Sequence, residues 1–129
     1  MALIYDKRYT RADETDYIPI KLSATVTCGQ PVDIAGALCS SSDTYVGVCL
    51  EDGVSGDWRK ICARDQAIVP VKIGASQAVT VGALLAIATG DFALAISGEQ
   101  SVAIALEAVT TGGTDSAIIP ARLVKTKMV

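Results

Sequence analysis

Apolar and small residues alternate along this chain with a period of two, and that pattern restricts it to β structure more than any other feature. Phe92-Ala93-Leu94-Ala95-Ile96 and Val102-Ala103-Ile104-Ala105-Leu106 set large side chains on one side and alanine on the other. Ile18-Pro19-Ile20-Lys21-Leu22, Tyr45 to Leu50 and Val69-Pro70-Val71-Lys72-Ile73 alternate too. Successive side chains of a strand point to opposite faces, so this period gives each segment one uniform face. Val79 to Ala88 is rich in Ala and Leu, but Val79, Thr80, Val81 and Gly82 weaken a helix there. Thr89-Gly90-Asp91 reads as a hairpin turn, and Ser97 to Gln100 and Thr111 to Thr114 separate further strands. Short strands at this spacing predict an all-β domain, a small barrel or sandwich.

The pattern also recurs at long range. Val26-Thr27-Cys28-Gly29 matches Val79-Thr80-Val81-Gly82, and Ile34-Ala35 matches Ile87-Ala88. Val46 to Glu51 matches Val102 to Glu107, and Ile61-Cys62-Ala63-Arg64 matches Ile119-Pro120-Ala121-Arg122. The offset grows along the chain while the order of blocks never changes, which favours two similar halves, roughly 20–69 and 70–124. Neither half alone buries enough surface, so the expectation is one shared core within a single domain spanning 18–129.

Residues 1–17 differ. Seven charges and three tyrosines fall there without a period, which reads as an extended N-terminal arm. Tyrosine brings large contact area with a polar tip and is favoured at interfaces. Tyr5, Lys7, Arg8, Tyr9, Arg11 and Tyr17 are therefore candidate contacts with another molecule. Half of the residues are hydrophobic but only 5% are aromatic, so the apolar load is aliphatic and suits either burial between subunits or an Ala-rich core. The net charge is −3 and the basic residues are scattered, which argues against a nucleic-acid partner. The uncharged run from Ile73 to Gly90 holds too many polar and glycine residues for a membrane span, so no membrane partner is expected.

Nothing in the sequence assembles catalytic chemistry. There is no histidine, hence no Ser-His or Cys-His nucleophile pair, and we expect neither an enzyme nor a catalytic residue. Cys28, Cys39, Cys49 and Cys62 lack paired metal-ligand spacing and read as reduced thiols acting as small hydrophobes. Glu51-Asp52-Gly53-Val54-Ser55-Gly56-Asp57 lacks the ligand register of a calcium loop and reads as a solvated turn. No metal and no cofactor are expected. Glu51 and Glu107 hold equivalent places in the two halves, as do Arg64 and Arg122. These are candidate inter-strand or inter-subunit charges, against the plainer reading of exposed strand ends worth under about 1 kcal/mol each. Trp58, beside Arg59, is expected to cap an open barrel end.

Ala78 to Leu85, Gly90-Asp91-Phe92-Ala93, Ile104 to Gly112 and Ile119-Pro120-Ala121-Arg122-Leu123 together resemble segments of the tailed-phage capsid cement, or head decoration, proteins. The likeness covers residues 70–124, and reaches 18–69 through the internal repeat. It implies a compact β-barrel, commonly trimeric, on the outside of an icosahedral shell, assembled in the host cytoplasm. The implied partners are the major capsid protein and further copies of the chain. The alternative is a virion surface module that binds a host glycan or receptor. A small trimeric β enzyme, such as a nucleotide hydrolase, lacks the required acid, base and phosphate-binding motifs.

Overall fold

Burial of the alternating aliphatic faces forces the strands into two arrays. The computed structural model describes residues 17–42 and 44–128, and every regular element in them is a strand. The first array contains β1 (Tyr17–Lys21), β2 (Pro31–Asp33), β3 (Tyr45–Cys49) and β4 (Trp58–Cys62). After it come β5 (Ile68–Ile73), β6 (Ala78–Val79), β7 (Leu84–Ile87), β8 (Phe92–Leu94), β9 (Gln100–Ala105), β10 (Val109–Thr110) and β11 (Ala117–Met128). The first four form a sheet in the order β1-β4-β3-β2, while β11-β5-β8-β7-β9 close into a barrel and β6 pairs with β10. The fold is all-β and built from small barrel-like sheets.

One register occurs twice. Val32 on β2 faces Gly47 on β3; 53 and 56 residues later, Leu85 on β7 faces Ala103 on β9. At those same offsets the bridge Val26–Gly53 becomes Val79–Val109, and Val32–Leu38 becomes Leu85–Leu94. β1 and β5 each pair antiparallel with the last strand of their unit, β4 and β11. Gly74 N donates to Phe92 O (2.9 Å) at the barrel seam, and Ser23 N donates to Gly36 O (3.1 Å) at the equivalent place in the first unit. The first unit is thus the same arrangement, with a bridge at Leu38 where the second has the strand β8.

The last strand pair is offset differently from its sequence match. Ile61 pairs with Cys49 and Ala121 with Ala105, so Ile61 corresponds to Ala121 rather than to Ile119. A slip of two residues keeps every side chain on its face, so an alternating pattern does not distinguish the two alignments.

Two clusters hold the units. Val69, Val71, Ile73, Val79, Leu85, Phe92, Val102, Ile119 and Leu123 fill the barrel, and Val48 and Cys62 of the first unit join them, so the units share this core. Ile20, Leu22, Val26, Val32, Cys49 and Ile61 form a smaller cluster inside the first unit. On β9 the alternation does not sort inside from outside: Ser101, Val102, Ala103 and Ala105 are all buried. Its neighbours β7 and β11 flank both edges, and packed residues cover both faces. The turns Thr89-Gly90-Asp91 and Ser97 to Gln100 fall where expected, with Gly90 and Gly98 at φ +76 and +92. β9 nevertheless returns beside β7, not beside β8.

All four cysteines are free, and Cys39, Cys49 and Cys62 are buried. The Cys39 thiol donates to Ser41 O (2.7 Å) and the Cys49 thiol to Glu51 O (3.0 Å). Burial raises the pKa of Cys49, against a smaller lowering by that backbone contact. Burial also raises Tyr45, with nearby Cys62 and Cys39 adding to it. In the folded protein a thiol-specific reagent at neutral pH is expected to label Cys28 at most, and all four after unfolding; rapid labelling of three or more in the native state would contradict the packing. Folded-state pKa values above the unfolded ones mean that the unfolded chain binds fewer protons at alkaline pH. This part of the stability is complete below about pH 8.5, the ordinary thiol value, and declines as pH rises above it.

Candidate interaction surface

Local backbone pairing decides the loop that carries most of the clustered carboxylates. Val26 and Gly53 exchange hydrogen bonds of 2.9 Å, which fixes the start of the turn. Asp52 Oδ1 accepts from Cys28 N (2.8 Å), and Asp57 Oδ2 accepts from Val54 N (2.9 Å) and Arg59 Nη2 (3.1 Å). Arg59 Nε donates to Asp52 O and Nη1 to Trp58 O, both at 2.8 Å. The carboxylates and the guanidinium therefore close the turn itself. Among the described residues no group of three or more His, Cys, Asp or Glu side chains is placed to hold a metal ion.

Tyr5, Lys7, Arg8, Tyr9 and Arg11 lie outside the described residues. Tyr17, expected at the end of the arm, is instead the first residue of β1, opposite Cys62. Its half-buried ring packs against the larger core, and Lys60 Nζ stands 5.7 Å from its centroid.

Glu51, Arg64, Glu107 and Arg122 are all exposed; Arg122 lies within β11, the other three just beyond the ends of strands. Register separates the expected pairs within the chain. With Cys49 opposite Ile61, Glu51 lies level with Arg59 and Arg64 level with Val46, five residues away or about 17 Å. Arg122 faces Ile104, three residues short of Glu107, or about 10 Å. Arg59 and Asp57 form an ion pair of 3.1 Å nearby.

The depressions on the surface are shallow. One of about 350 Å³ is lined by Ser40, Ser41, Ser42, Ile87, Glu99 and Gln100, and Ser42 Oγ already donates to Gln100 Oε1 (2.8 Å). A second of about 320 Å³ is apolar, formed by Ile68, Val69, Pro70, Ile118, Ile119 and Pro120 along β5 and β11. Pro70 and Pro120 face each other in register, and neither has an N–H to give to the ladder. Trp58 does not cap a barrel end. It opens β4 opposite Lys21 and is 62% exposed.

Exposed apolar side chains are the distinctive surface feature: Ile18, Ile34, Val54, Trp58, Ile68, Val81, Ile96 and Ile118 all face solvent. Isolated cases need no explanation, but grouped ones mark contact surfaces. Apart from Trp58, the sequence did not single these residues out, because in an alternating strand an exposed isoleucine and a buried one look alike.

These side chains are spread over both β units. No protein-family model and no curated protein matches the chain in sequence. Its fold is similar to that in "The crystal structure of head fiber gp8.5 N base in bacteriophage phi29". That likeness has a TM-score of 0.56 at 13% identity and covers 88% of this chain and 97% of the other.

Proposed function

We propose that this chain is a structural protein of a phage virion, a decoration protein that binds the outer surface of the head as an oligomer and stabilises the shell. The observation that carries this reading is the fold shared, over nearly the whole of both chains, with the base of a phage head fibre. The head-decoration resemblance of residues 70–124 points the same way from the sequence side. The proposed partners are the major capsid protein and two further copies of the chain, and no catalysis is involved. Stabilisation is mechanical: a rigid β unit contacts neighbouring shell subunits at once, and several weak contacts from one oligomer add to tight occupancy. Tyr5, Lys7, Arg8, Tyr9 and Arg11 are proposed to meet the shell, with a strand-addition contact giving affinity through backbone hydrogen bonds.

Heads lacking the protein are the direct test. Added protein is expected to co-sediment with them to saturation and to raise the temperature at which they release DNA; absence of binding ends the proposal. A chain without residues 1–16 is expected to bind at least about tenfold more weakly, and undiminished binding would remove the arm's role.

The rival reading, a module for a host glycan or receptor, draws on the exposed Trp58. It predicts glycan binding that Trp58→Ala abolishes. The neighbouring Arg59 guanidinium is already held by Asp52 O, Trp58 O and Asp57, which leaves Trp58 as the side chain such binding would rest on.

A further inference from the structure

The first unit docks on the second in one direction only. Gly29, at φ +93, turns the chain so that its carbonyl accepts from Lys72 N on β5 at 2.9 Å; a Cβ at Gly29 would stand 3.0 Å from that nitrogen. Alongside, Gln30 Nε2 donates to Gly90 O (3.0 Å) and Gly90 N donates to Cys39 O (3.0 Å). Val48 of the first unit lies in one core with Val69 and Val71 of the second.

Among the described residues the equivalent parts of this contact, the Gly82 turn and the β1 edge, make no such pairing. Gly82 repeats the Gly29 turn at φ +87, yet nothing stands within 4 Å of its Cβ position. Where the first unit buries Pro31, the second exposes Leu84; half-buried Cys28 becomes Val81, 68% exposed; buried Val48 becomes half-buried Ile104. The receiving side shows the same asymmetry. Buried Val69 on β5 corresponds to exposed Ile18 on β1, and Ile34, 73% exposed, stands where the second unit begins its Gly90 hairpin. Lys21 corresponds to Lys72. Leu22 N donates inward to Asp57 O, so the alternating N–H of Lys21 points to the outer edge of β1.

We propose that a second copy of this chain completes the contact. The Gly82 turn of one copy, with Val81 and Leu84, docks on the β1 edge of the next, beside Ile18 and Ile34, and the Gly82 carbonyl accepts from Lys21 N. A surface that joins two different patches is heterologous, so copies follow one another head to tail and close into a ring. A copy is the occupant because both halves of the contact are on this chain and match, at the turn glycine, its carbonyl, the edge lysine and the apolar positions beside them, a contact it already makes internally; Ala83, in place of Gln30, leaves out that side-chain hydrogen bond. The inference deepens the self-association in the reading above but needs no shell, so it is tested on free protein.

The test uses two full-length variants and their mixture, with mass read by light scattering after gel filtration. Val81→Glu disables the turn and Ile34→Glu disables the edge, each by placing an unpaired charge in an apolar contact. The wild type is expected as a closed oligomer, and each variant alone as a chain of 13.3 kDa, with association weakened by at least about 100-fold. Mixed in equal amounts, the variants retain one good turn and one good edge between them, so they are expected to pair and stop at two chains. A monomeric wild type, variants that keep the wild-type mass, or a mixture that stays monomeric each overturns the proposal. Circular dichroism checks the fold of both variants, and Leu84→Glu with Ile18→Glu replaces a pair that fails it. Oligomers without shell binding would reject the decoration role and leave this contact standing.

Discussion

Replacing Phe92 with alanine is expected to lower the unfolding free energy by about 3–5 kcal/mol. Among the described residues Phe92 is the largest fully buried side chain, and it is the only phenylalanine of the chain. It begins β8 and meets Ile73 in the parallel pairing that closes the barrel. Packed aliphatic side chains surround the ring, so truncation leaves a cavity that the closed sheet has little freedom to fill. Total stabilities of domains this size are about 5–15 kcal/mol, so the loss is a large fraction of the whole. Because Val48 and Cys62 share this core, urea unfolding is expected to remain a single transition with a lower midpoint. A loss under about 1 kcal/mol would mean that the ring does not organise the barrel. Two separated transitions would mean that the units fold independently.

Gly36→Ala is expected to cost at least about 3 kcal/mol, from two sources that a control separates. Gly36 takes the place in the first unit that Phe92 takes in the second, but the chain there lies directly against β1. Its φ is +83, and a Cβ would collide with the carbonyl oxygen of Lys21 and stand 2.8 Å from Leu22 Cα. Backbone cannot move aside as the tip of a side chain does, so the seam between Ser23 and Gly36 must open. Gly98 also has a left-handed φ, +92, yet faces open space. Gly98→Ala should therefore cost only the conformational strain, about 1–2 kcal/mol. Chemical denaturation of both variants reads the difference, and equal costs would show that the close approach at Gly36 is relieved without penalty.

The legible parts of this fold are those where one strand face is apolar and the next position is not. β1, β3, β5 and β9 lie within a residue or two of the alternating segments, and the hairpin at Thr89-Gly90-Asp91 sits between β7 and β8. β4 was not legible as a strand, because Trp58-Arg59-Lys60 presents an exposed aromatic and two charges. Trp58 and Lys60 point to solvent and the half-buried Arg59 closes the neighbouring turn, while the backbone is held between β1 and β3. The three-residue β2 is too short to show a period. Of the candidate site, the sequence singled out charges and aromatics by residue type. The apolar contact positions it passed over, Ile18, Ile34 and Val81, were hidden among core residues of the same type.

By itself, then, the sequence determined the β class, the places of the Gly turns and the recurrence of similar blocks, since each follows from local periodicity or backbone freedom. Tertiary structure alone decided which strands lie side by side, the two-residue shift of the closing strand and the burial of β9 on both faces. It also decided the different fates of Gly29 and Gly82. Those two turns have nearly the same local geometry, and only the packing of one unit on the other covers the first and leaves the second open.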